Sequence, residues 1–114
     1  MIKLSKYQYK ILENLLCRGT VLISIPSKTK KQYVYLQKKL IYSDKVRSNT
    51  FKKLLEQNLI EKDSEDKNFS IFIASKITEE LIKEKYKELI KKSKIPFKEF
   101  IEMPNLMKEY VTRN

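Results

Sequence analysis

Asn49, Lys52 and Lys53 are spaced to share one face of a helix, with Arg47 and Ser48 immediately ahead of them, and all five side chains can donate hydrogen bonds to phosphate oxygens. Five of the lysines that precede this group are further candidates: Lys28, Lys30 and Lys31 in one short run, then Lys38 and Lys45. Such side chains neutralise a polyanion, whereas bond-breaking chemistry is poorly supplied. The 114 residues include no histidine, one cysteine and one glycine. They therefore offer no imidazole base, no Cys–His pair, no zinc-ligand spacing and no glycine-rich phosphate loop. Asp63, Glu65, Asp66 and Lys67 could serve a metal-dependent nuclease, but four such neighbours in a hydrophilic turn are far more often a solvated loop. No catalysis, metal or cofactor is expected.

The charge is segregated along the chain. Of the net +11, residues 1–60 carry thirteen basic and three acidic side chains, net +10, and residues 61–114 carry twelve and eleven, net +1. Lysine-rich composition alone does not segregate charge in this way, so the first half has the electrostatic footprint of a polyanion-binding surface and the second that of an ion-paired, solvated one. The competing reading is a basic surface with no ligand. Cys17 by itself permits no disulfide within the chain. No N-terminal apolar run reaches signal-peptide length, and none approaches the ~20 residues of a membrane span. A cytoplasmic protein without membrane contact is expected.

The elements that must position these residues can be read in order. Ser5 and Gln8 form a capping box, with Leu4 and Tyr9 as its hydrophobic staple. Ile11, Leu12, Leu15 and Leu16 extend a helix over residues 6–17, which Gly19 ends in a left-handed conformation. Residues 20–25 and 32–36 read as two strands joined by a basic turn. The next helix is expected to take Ser48 as its N-cap, because an earlier start would put Arg47 on the face of Phe51, Leu54 and Leu55. Residues 44–47 are then a turn or a short preceding helical turn, with Lys45 and Arg47 near a helix N-terminus, where phosphates are well received. Asn58 ends this helix in a left-handed conformation. Residues 59–62 and 69–74 are strands around an acidic loop at 63–68. Thr78 is expected to cap a helix reaching Lys92, with Glu79–Lys83 and Glu88–Lys92 pairs worth ~0.3–0.5 kcal/mol each. Pro96 and Pro104 begin two short apolar segments.

The fold class expected is α+β, a winged-helix-like domain of order α-β-β-α-β-β-α over residues 1–94. Residues 95–114 form a helical extension that packs on the domain, or that serves as a homodimer or protein-partner interface. Phe51-Lys52-Lys53-Leu54-Leu55 followed by Asn58-Leu59-Ile60, within the order helix, hairpin, helix, hairpin, helix, resembles the winged helix-turn-helix superfamily over residues 4–84. LSKYQ and TFKKLLEQNLI are also similar to small bacterial winged-helix proteins of the YjhX type. The resemblance implies a recognition helix in the DNA major groove, with Asn49, Lys52, Lys53 and Glu56 as base-facing candidates, and a wing along the backbone. It departs from the family in its acidic 63–66 loop and in the hairpin standing where a second helix is usual. The functional expectation is a double-stranded DNA-binding protein, a transcriptional regulator or an accessory factor of a mobile element. Lys28, Lys30, Lys31, Lys38, Lys45 and Arg47 would hold phosphates, and Ser48, Asn49, Lys52 and Lys53 would lie at the duplex. Alternatives are a protein-interaction module docking on an acidic protein and, through stacking by Tyr33 and Tyr35, an RNA binder.

Overall fold

The first helix, α1 (Lys6–Leu15), begins with the capping box that the sequence dictates. The Gln8 N–H donates to Ser5 Oγ at 3.2 Å and the Ser5 N–H donates to Gln8 Oε1 at 2.9 Å. These contacts belong to a computed structural model that describes residues 3–26, 32–38 and 42–103. The helix stops two residues short of Cys17, and Gly19, at φ 76°, turns the chain into the sheet.

Five strands, β1 (Thr20–Ile25), β2 (Tyr33–Lys38), β3 (Tyr42–Val46), β4 (Ile60–Glu65) and β5 (Ser70–Ala74), form one antiparallel sheet in the order β3-β2-β1-β5-β4. The two hairpins are fused by β1 lying against β5, with Leu22 opposite Phe72 and Ile23 opposite Ile71. The α+β class is observed, but the expected element order lacked β3. Residues 44–46 are strand rather than turn, because pairing with β2 sets Val46 against Val34 and buries both. The acidic segment differs too. Strand β4 runs on to Glu65, with a bulge between Lys62 and Ser64, so that Asp63 and Glu65 lie on an edge strand and the loop is confined to 66–69. A charged, bulged edge discourages further strand pairing.

Residues opposite one another in an antiparallel sheet share a face. Thr20, Leu22, Ser24, Val34, Leu36, Val46, Ile60 and Phe72, the buried strand residues, all fall on one side. Helix α1 packs there through Ile11, Leu12 and Leu15. The second helix, α2 (Ser48–Glu56), lies on the path from β3 at one edge to β4 at the other, across a sheet about 19 Å wide. It presses Phe51 edge-on to Phe72, ring centroids 5.0 Å apart, and buries Thr50 and Leu54. Leu55, expected on that face, is 40% exposed.

Three helices complete the layer: α3 (Lys76–Lys85), α4 (Lys87–Ser93) and α5 (Phe97–Glu102). Ser75, and not Thr78, is the N-cap of α3; Ser75 Oγ accepts from the Thr78 N–H, while the Thr78 hydroxyl, fully buried, donates to the Leu59 carbonyl. The expected single helix to Lys92 is broken at Tyr86, whose hydroxyl donates to the Glu13 carboxylate and whose ring packs on Phe100 at 4.9 Å. Burial and the Glu13 carboxylate push the Tyr86 hydroxyl well above the ordinary tyrosine range. Lys85 also pairs with Glu13 at 3.2 Å, and the expected Glu79–Lys83 pair is formed at the same distance. Lys94, at φ 59°, ends α4, and Pro96 is the N-cap of α5 rather than its first helical residue. Phe100 and Ile101 are buried and the Arg18 N–H donates to Glu102, so α5 is part of the domain core. The second expected segment, from Pro104, lies outside the described residues.

Candidate nucleic-acid interface

Where β3 gives way to α2, the chain makes a basic corner. Arg47 is extended, φ −64° and ψ 133°, and serves as the N-cap with no side-chain hydrogen bond to the helix. Ser48, expected in that role, is instead the first helical residue, because pairing with β2 carries the extended conformation to the end of β3. The first α2 hydrogen bond runs from the Phe51 N–H to the Arg47 carbonyl. The N–H groups of Ser48, Asn49 and Thr50 therefore have no acceptor within the helix, and the positive end of its dipole faces outward.

An open cleft of about 840 Å³ lies at this corner, lined by Tyr7, Gln32, Tyr33, Lys45, Val46, Arg47, Ser48 and Lys52. The Arg47 guanidinium carbon sits 5.3 Å from the centre of the Tyr7 ring, and Lys45 Nζ sits 5.7 Å from that of Tyr33. Each ring holds its cation at the cleft wall without neutralising it. Gln32 is anchored by donating to Ser24 Oγ. Among the described residues, Lys45, Arg47, Lys52 and Lys53 form no ion pair with a carboxylate. Three cations and a helix N-terminus around one opening form an anion-accepting arrangement.

Four of the ten residues singled out in the sequence, Lys45, Arg47, Ser48 and Lys52, are thus brought together. Asn49 and Lys53 are exposed on the outer face of α2, next to Lys52 but outside the cleft lining. Lys38 stands at the other end of β2, five residues from Tyr33 and about 17 Å away along the strand, so it belongs to a different part of the surface. Lys28, Lys30 and Lys31 lie outside the described residues. Tyr7 and Gln32 went unrecognised in the sequence, where Tyr7 is one more aromatic in an amphipathic helix and nothing marks it as a cleft wall. The acidic strand β4 is at the far edge of the sheet from Lys45.

Comparison of the chain with protein-family models, curated proteins and solved structures returned no match. Among the described residues, no group of three or more His, Cys, Asp or Glu side chains could hold a metal ion, and no helix is long and apolar enough to cross a membrane.

Proposed function

We propose that the protein binds double-stranded DNA without catalysing a reaction, gripping phosphates at the corner between β3 and α2 and presenting the outer face of α2 to the duplex. The observation that carries this reading is the convergence of Lys45, Arg47 and Lys52 on one cleft with the uncapped start of α2. From that corner, Asn49 and Lys53 extend the polar face, and an Asn side chain suits adenine as lysine suits guanine. A winged-helix reading of the fold is supported by the sequence of α1, β1, α2 and the β4–β5 hairpin, with β1 beside β5. In this reading β2 and β3 replace a second helix, and they supply Lys45 and the entry to α2. A regulator or an accessory factor of a mobile element is the role in keeping with such a binder.

A salt titration tests it. Three phosphate contacts give a log K against log salt slope of about −2.7 on duplex DNA. Absence of binding at low salt overturns the proposal. A protein-interaction module is the second reading, favoured by the acidic β4 edge. Nuclease treatment of a native complex separates the two, releasing a DNA-bound species and leaving a protein complex intact.

A further inference from the structure

A phosphate needs cations and N–H donors, yet the cleft at the start of α2 also presents two tyrosine rings and an amide. Val34 and Val46 point into the core, so by alternation Tyr33 and Lys45 lie on the opposite side of the sheet. Tyr7 belongs to α1, which packs on the core side. The cleft therefore runs round the end of the sheet from one ring to the other, and Gln32, just ahead of β2, lines it together with both. Tyr33 is 39% exposed, so Lys45 Nζ at 5.7 Å leaves much of its ring open. Gln32 uses one amide N–H on Ser24 Oγ and retains a second N–H and a carbonyl oxygen, the donor and acceptor that a base edge can match.

An intact duplex has no use for these groups. Its bases are stacked on one another and joined along their pairing edges, so it offers an aromatic ring little besides phosphate and sugar. Unpaired nucleotides have free faces and free edges, and they bind where aromatic rings alternate with cations that follow the backbone. This cleft has that alternation, with Lys45 beside Tyr33 and Arg47 beside Tyr7. Its volume of about 840 Å³ falls in the range of roughly 300–1,000 Å³ typical of sites that enclose an organic ligand, whereas a phosphate alone leaves most of it empty. No carboxylate is among the described residues that line it. The sequence just before Gln32, residues 27–31, contains three lysines and no acid, so the charge of this stretch of chain is of the same sign.

We infer that the cleft seats unpaired nucleotides of a DNA strand that runs on from the duplex held at α2, with a base stacked on Tyr33 and the backbone held by Lys45, Arg47 and Lys52. The inference rests on the duplex reading of α2, and it narrows the ligand to a duplex with a single-stranded tail. Tyr33 supplies the stacking surface, Tyr7 the far wall and Gln32 a contact to a base edge between them.

Fluorescence anisotropy on the full chain, at about 50 mM salt, compares a blunt duplex with the same duplex carrying a tail of about four thymidines, on the 5′ or the 3′ strand, or an abasic sugar-phosphate tail of equal length. The thymidine and abasic tails carry equal charge, so their ratio isolates the bases. With one tail polarity, the thymidine tail is expected to bind at least about fivefold tighter than the abasic one. Tyr33→Phe keeps that ratio within about twofold and Tyr33→Ala brings it below about twofold, because the ring and not the hydroxyl carries the stacking. Equal affinity for thymidine and abasic tails, with the blunt duplex bound, overturns the inference and leaves the duplex reading standing. Absence of binding to all three overturns both. A preference that survives Tyr33→Ala places the unpaired bases elsewhere and overturns the inference too. Circular dichroism checks that the variants are folded, and the comparison of tails on the unaltered chain decides the matter even where a variant is not.

Discussion

Replacing Asn58 tests the junction that fixes the direction of α2. Asn58 is left-handed, at φ 59°, and its N–H donates to the Leu55 carbonyl at 3.1 Å while the Leu59 N–H donates to Leu54 at 3.0 Å. These two bonds are a Schellman motif, and the apolar contact expected with it is supplied by Leu54 and Leu59, both fully buried. The turn cannot relax easily, because Ser75 Oγ donates to the Asn58 carbonyl at 2.7 Å and the Ser75 N–H donates to the Leu59 carbonyl at 3.0 Å. A side chain with a Cβ and no local hydrogen-bonding group meets the left-handed penalty of about 1–2 kcal/mol in full. Glycine avoids that penalty but adds freedom to the unfolded chain, which offsets part of the gain. The stability order expected is therefore Gly at or slightly above Asn, then Ala, then Val, with Asn58→Ala about 1 kcal/mol below wild type and Asn58→Val about 2 kcal/mol or more below. Urea denaturation at constant m-value measures it. If Asn58→Ala and Asn58→Gly have equal midpoints, the left-handed constraint does not hold the junction and the argument fails. Duplex affinity under folding conditions should be unchanged in all of them, since Asn58 does not line the cleft.

Other perturbations address single contacts. Thr78→Val keeps the shape but removes the buried donor to the Leu59 carbonyl, and a loss of about 1–2 kcal/mol is expected in the same denaturation assay. Tyr86→Phe removes the bond to Glu13 and should cost about 1–2 kcal/mol at neutral pH. Because the folded-state pKa of Tyr86 is raised above its unfolded value, its contribution is complete below about pH 10 and is lost as the pH rises further. The gap between wild type and Tyr86→Phe should therefore close in alkali; a constant gap would contradict this. Arg47→Ala is expected to reduce the salt slope of duplex binding by about 1 and Lys52→Glu to weaken binding at low salt roughly tenfold or more, whereas Lys38→Ala leaves the cleft's contribution intact. Equal effects at Lys38 and Lys52 would place the interface elsewhere.

Several features are decided within a few residues and were readable in the sequence. The Ser5–Gln8 capping box, the left-handed turns at Gly19 and Asn58, the β-branched run that becomes β1, and the core positions Phe51 and Leu54 depend on local hydrogen bonds, backbone sterics and helical spacing. The start of α3 was not readable, because Ser75 and Thr78 are both good caps; docking of Thr78 on the Leu59 carbonyl, nineteen residues away in sequence, decides between them. Strand β3 was equally hidden. Tyr42-Ser43-Asp44-Lys45-Val46 carries little strand preference of its own and becomes extended because β2 offers it a ladder.

For the candidate site, the sequence by itself determined the inventory: an excess of cations before residue 61 and a helix bearing Asn49, Lys52 and Lys53. Tertiary structure alone decided which of them meet. Lys45 and Arg47 reach one cleft because β3 ends there, Tyr7 because α1 lies across the sheet, and Lys38 is excluded because it sits at the other end of β2. Side chains on separate elements become neighbours through strand order and register, which are set by the sum of long-range pairings and leave no mark in the spacing of the residues they assemble.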